Sequence, residues 1–129
     1  MHKGFLLIGA ISGALAVVLG AFGSHSLRNK VNNNDLQIFE TAVRYQFFHV
    51  FALIAVGILF KFMPGGSLIW SGRLFLVGSI IFSGSLYALI ATRAAGSLHY
   101  NWLGAITPVG GTFLIAGWVC LALACANYK

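Results

Sequence analysis

GFLLIGAISGALAVVLGAFG, residues 4–23, holds no charged side chain in twenty positions. At 1.5 Å per residue, a helix of that length is about 30 Å long, the thickness of a bilayer's hydrocarbon core. Lys3 stands before the run, and Arg28 and Lys30 follow it. The stretch therefore reads as a membrane-crossing helix. Its surroundings, Met1-His2-Lys3 in front and Ala21-Phe22-Gly23-Ser24 behind, also imitate a secretory leader. Leader cores are about 7–15 residues long. This run is longer and carries an internal series of small residues that a leader does not need, so it is read as a retained helix.

That series is Gly9, Gly13, Ala16, Gly20 and Gly23. The alternating steps of four and three residues place them along one seam, where small side chains let membrane helices approach closely. The seam predicts that the first helix packs tightly at the centre of a bundle.

The rest of the chain has the same solvent preference. Of 129 residues, 59% are hydrophobic and 8% charged, and the mean hydropathy is +0.89. Soluble domains carry about 25% charged residues, so a water-soluble enzyme, a disordered chain and a coiled coil are excluded. Four spans of about 20 residues fit the length. The net charge of +6 comes from Lys3, Arg28, Lys30, Arg44, Lys61, Arg73, Arg93 and Lys129 against Asp35 and Glu40. The cations stand singly at the edges of apolar runs, as interfacial anchors do. Nucleic acid is not a partner on this reading, because it requires a continuous basic face. Cys120 and Cys125 point about 140° apart on one helix, which suits packing and neither a disulfide nor a metal.

The predicted architecture is an all-α, four-transmembrane-helix bundle, up-down-up-down, in one domain over residues 1–129. Its helices cover about 4–25, 35–62, 70–93 and 102–126. Asn34 is the expected cap of the second helix, with Gln37 three residues later completing a capping-box-like pair. Leu36, Phe39, Val43, Phe47 and Val50 keep helical spacing, while Gln37, Glu40, Thr41 and Arg44 take the other faces. The second helix thus starts as an amphipathic interfacial segment. Met63-Pro64-Gly65-Gly66 ends it. Four basic residues fall on each side of the membrane, a tie under the positive-inside rule. Setting Arg44 aside as a partner of Glu40 tilts both termini toward the cytoplasm.

Polar residues inside spans are costly and need a reason. Glu40 and Arg44, four apart, are placed for an ion pair in the favoured order. Counted along the helices, His49 lies about 7.5 Å below Arg44, Tyr87 about 9 Å below Arg93, and Thr107 about 7.5 Å below Trp102. The count predicts one polar layer opposite the termini. Gln46 and Tyr45 lie just above it, His25 is at the exit of the first helix, and Ser83 and Ser85 lead toward the bilayer centre. Two readings stand side by side: a polar pocket open to that side, or groups that hydrogen-bond across helices and order the packing. Metal binding by His25, His49 and Glu40 is disfavoured because one histidine alone lies inside a span. Haem would need two facing histidines, and Ser83 and His49 stand too far apart for nucleophilic catalysis. No cofactor, metal or catalytic residue is assigned.

The fourth helix opens Gly104-Ala105-Ile106-Thr107-Pro108-Val109-Gly110-Gly111. Gly104 and Gly111 are read as helix-packing positions beside Gly9, Gly13 and Gly20. A proline in the first turns is ordinary. The alternative, a broken helix that coordinates an ion, lacks a carboxylate in the span.

Four motifs carry a resemblance. Gly20-Ala21-Phe22-Gly23-Ser24-His25, Tyr45-Gln46-Phe47-Phe48-His49, Phe82-Ser83-Gly84-Ser85-Leu86-Tyr87, and the Gly104–Gly111 stretch running on to Gly117-Trp118 are spread over almost the whole chain. Together they resemble an uncharacterised family, domain of unknown function 423, whose animal relatives are named transmembrane protein 256. The resemblance implies a four-helix protein of the bacterial inner membrane and supplies no substrate, reaction or cofactor. Members often have alanine where Ser24 stands.

The function expected on these grounds is that of a non-enzymatic membrane protein that associates with lipid, with copies of itself or with a larger membrane complex. The alternative is a small oligomeric channel or transporter for an ion or small solute, its path using the His49 layer and Ser83. A third reading, an enzyme acting on a lipid or quinone, would need its substrate near Arg44.

Overall fold

The computed structural model describes residues 1–129. It consists of four long helices: α1 Lys3–Leu27, α2 Asn33–Leu59, α3 Gly66–Ala94 and α4 Leu103–Ala126. Each is long and apolar enough to cross a membrane.

Local chemistry sets the ends. His2 caps α1, its Nδ1 accepting the Phe5 N–H at 3.2 Å. Its own backbone N–H donates to the Gly57 carbonyl at 2.9 Å, which pins the start of α1 to the end of α2. The cap of α2 is Asn32 rather than the expected Asn34, with the Asn32 side chain accepting the Asp35 N–H at 2.8 Å. Asn32 has extended backbone and the asparagines after it are already helical, so α2 begins earlier than the apolar pattern indicates. Gly66 likewise belongs to α3, which starts four residues before the expected 70 because the extended Gly65 is its cap. Past the end of α3, Gly96 takes φ +81°, a left-handed conformation that glycine adopts without steric cost.

Neighbours in sequence pack antiparallel: α1 on α2, α2 on α3, α3 on α4. The first helix is therefore not central, contrary to the seam-based expectation. In the most apolar stretch of α2, 44% of residues are buried, against 17% in α1. The glycine seam of α1 is spent on α2 alone. A Cβ on Gly9 would stand 2.9 Å from Ile54, on Gly13 3.3 Å from Val50, and on Gly20 3.2 Å from Val43. A π-helical turn at Leu19–Gly23 keeps the far end of the seam against α2, with Gly23 under the Phe39 ring.

The α3–α4 contact uses different glycines from those expected. A Cβ on Gly110 would collide with the backbone of Phe82, and one on Gly117 would stand 2.7 Å from Phe75. Gly104 and Gly111 have ordinary room, 3.8 Å to Leu89 and 3.7 Å to Phe82. Helical rotation separates adjacent Gly110 and Gly111 by about 100°, and one of them faces α3 squarely. All four helices contribute to the core: Phe5, Ala52, Leu53, Val56, Leu68, Phe75 and Leu114. Leu7, Ile11, Phe22, Phe51, Ile80 and Ile115 point outward, where acyl chains are their solvent.

Candidate functional site

Gln46 is buried on α2 and joins three helices. Its amide nitrogen donates to the Ser12 carbonyl at 2.9 Å and to Ser12 Oγ at 3.2 Å. Its amide oxygen accepts the Tyr87 hydroxyl at 2.6 Å. The glycine seam creates the first contact, because only small residues let the α1 backbone come close enough for its carbonyl to reach a side chain on α2. The Tyr87 ring leans on Phe39 with centroids 5.4 Å apart, which aims the hydroxyl at Gln46. Nearby, Ser83 donates to the Ala42 carbonyl at 2.8 Å, and Ser85 and Thr107 share a hydrogen bond of 2.7 Å between α3 and α4.

His49 makes a separate group. Its Nδ1 is 2.7 Å from the Tyr45 carbonyl, and its Nε2 receives the indole N–H of Trp118 at 3.2 Å. An indole nitrogen only donates and a carbonyl only accepts, so the ring is neutral with its proton on Nδ1. Phe75 and Trp118 pack around it at centroid distances of 5.6 and 6.1 Å.

The expected common layer of His49, Tyr87 and Thr107 is thus corrected. Trp118, the partner of His49, lies eleven residues beyond Thr107 on α4, about 16 Å along the axis. Rotation separates the groups as well: Gln46 turns to α1 and α3, His49 to α3 and α4. The polar contacts are not confined to one half either, since Ser71 donates to the Gly117 carbonyl at 2.9 Å toward the end that carries the termini. His25, Glu40 and Arg44 are exposed and join neither group. Glu40 and Arg44 form no ion pair.

The ion pair that does form is Arg93 with Asp35. The guanidinium also donates to the Asn101 side chain at 3.2 and 3.4 Å. One residue thereby ties the start of α2, the end of α3 and the α3–α4 loop. A signal was available: antiparallel neighbours bring a first-turn acid and a last-turn base to the same surface. Arg93, rather than Arg44, is the neutralised cation on that side.

Above Gln46 and Leu53, α1 and α3 stand apart and enclose a groove of about 420 Å³. Ile8, Ile11 and Leu15 form one wall, and Leu76, Ile80 and Gly84 the other. Ser12, Ser79, Ser83 and Tyr87 are its polar lining residues besides Gln46, and none of the thirteen lining residues is charged. The exposed Ile11 and Ile80 at its rim place the opening sideways, toward hydrocarbon. Depth counting from the sequence misses this groove and its Ser12 and Ser79. No three of the histidines, cysteines and acids converge as metal ligands.

Residues 19–111 match the family described as "Protein of unknown function (DUF423)". The chain is 40% identical over 127 residues to the UPF0382 membrane protein YwdK of Bacillus subtilis (strain 168), covering 98% of each. It is 38% identical over 122 residues to the UPF0382 membrane protein SAB0533 of Staphylococcus aureus (strain bovine RF122 / ET3-1), covering 95% of this chain and 94% of that one. No solved structure matches.

Proposed function

The chain belongs to the DUF423 family of membrane proteins, and from that premise we propose that it is a non-enzymatic protein of the bacterial inner membrane that holds a lipid molecule in the groove between α1 and α3. The observation that carries this reading is the groove itself. Its volume of about 420 Å³ falls within the usual range of small-molecule sites, about 300–1,000 Å³. It is uncharged, and it opens where the surrounding molecules are acyl chains. Gln46, Tyr87 and Ser83 spend hydrogen bonds on neighbouring helices, which suits a rigid binding wall better than a polar path for ions.

The test is purification in mild detergent followed by mass spectrometry of the lipids that remain. A wild-type chain retains about one lipid per protein, and Gly84→Leu loses it. A Cβ on Gly84 meets nothing within 4 Å, so the larger side chain extends into the groove without disturbing the helices. Equal lipid content in the two proteins would overturn the reading.

A further inference from the structure

The groove carries one feature that an acyl chain does not use. α1 and α3 run parallel, and their register is set where the Phe5 ring lies over Gly72. Seven residues on along each helix, two turns and therefore on the same faces, come Ser12 and Ser79. The two hydroxyl-bearing side chains line opposite walls of the groove at one height. Ser79 Oγ is shielded and has no hydrogen-bond partner. Ser12 Oγ accepts from Gln46, and this leaves its own proton to donate. Ser79 lies 13 residues from Gly66 and 15 from Ala94, so both hydroxyls stand near the middle of the span.

An unsatisfied hydroxyl in hydrocarbon is costly, and at this depth bilayer phospholipids offer no oxygen, their esters lying near the surface. A neutral lipid that carries carbonyls into the hydrocarbon core does offer one. We propose that the groove binds an isoprenoid quinone: Ser79 and Ser12 donate to its ring carbonyls and the apolar walls hold its tail. Absence of charge in the lining matches a neutral head group. This rests on the lipid-binding reading above and names the chemical class of the lipid.

The experiment measures binding to the full chain in nanodiscs, with three probes: a benzoquinone bearing two isoprene units, the same skeleton without its ring oxygens, and a diacylglycerol. The quinone binds most tightly of the three. Ser79→Ala weakens the quinone about fivefold, the effect of one hydrogen bond, and leaves the oxygen-free probe unchanged; Ser79→Thr retains quinone binding. Gly84→Leu abolishes binding of all three probes. Equal affinity for quinone and oxygen-free probe, or no effect of Ser79→Ala while Gly84→Leu still abolishes binding, would overturn oxygen recognition and leave the groove as a lipid site. Tighter binding of the diacylglycerol would overturn the quinone assignment. Binding that survives Gly84→Leu would remove the groove reading itself.

Discussion

The Tyr87 hydroxyl donates to the Gln46 amide oxygen at 2.6 Å, and the same amide reaches the Ser12 backbone carbonyl at 2.9 Å. A side chain on α2 thus couples α1 to α3, two helices that otherwise enclose a groove. Hydrogen bonds between membrane helices average about 0.6 kcal/mol and reach about 1.7. Tyr87→Phe removes one contact and lowers stability by about 0.5–1 kcal/mol, whereas Gln46→Leu removes both and costs about 1–2 kcal/mol. The double variant costs little more than Gln46→Leu alone, because the Tyr87 contact is already gone. Reversible unfolding in mixed micelles measures all three.

Arg93 and Asp35 set the geometry at the end of the bundle away from the termini. The Arg93 side chain is 23% exposed and Asp35 is 9% exposed, so the pair lies between the surface and buried regimes. Asp35→Asn leaves a half-buried guanidinium short of its anion and lowers stability by about 1–3 kcal/mol. The effect shrinks as salt is raised only to the extent that solvent reaches the pair. The exchange Asp35→Arg with Arg93→Asp recovers part of the loss, and a double variant no more stable than the worse single one would contradict a direct pairing.

His49 offers a spectroscopic check. Nitrogen-15 shifts of selectively labelled protein show a protonated Nδ1 and an unprotonated Nε2 at neutral pH. Trp118→Phe removes the donor to Nε2 and changes that nitrogen's shift while the Nδ1 bond to Tyr45 persists. A proton found on Nε2 in the wild-type protein would exclude the Trp118 contact.

Two adjacent glycines on α4 behave differently. Gly110→Leu forces α4 off the Phe82 backbone and costs about 3 kcal/mol or more by overpacking. Gly111→Ala meets only ordinary contacts and is neutral or stabilising by up to about 1 kcal/mol through helix propensity. Thermal unfolding in detergent separates the two.

An orientation is expected from the basic residues at the two ends of the bundle. With Arg93 neutralised by Asp35, the unpaired cations beside the outer loops are Arg28, Lys30 and Arg44, against Lys3, Lys61, Arg73 and Lys129 at the end bearing the termini. Both termini are then expected in the cytoplasm. Reporter fusions active on the cytoplasmic side at each terminus check it, and a periplasmic or extracellular reporter signal at either terminus contradicts it.

Much of this architecture was legible before any coordinates. The four apolar runs and the close approach of Gly9, Gly13 and Gly20 to a neighbour follow from hydropathy and spacing, which are properties of one helix at a time. Height along the helices groups His49 with Tyr87 and Thr107, while partners are chosen by rotation and by which helices adjoin. Ser12 and Ser79 are not legible in the sequence, because a lone serine in an apolar run carries no signal until a facing wall is known.

Taken by itself, then, the amino-acid order determined that this chain lives in a bilayer as four helices, because the cost of leaving backbone polar groups unpaired in hydrocarbon leaves few alternatives. Which helices adjoin, that α1 sits at an edge, that Arg93 takes Asp35 while Arg44 stays free, and that a groove with two facing serines opens between α1 and α3 were decided only by the tertiary structure. The reason is that lipid is as apolar as the helices. Burial from water does not dictate their arrangement, and the choice falls to shape and a few hydrogen bonds between residues far apart in the chain.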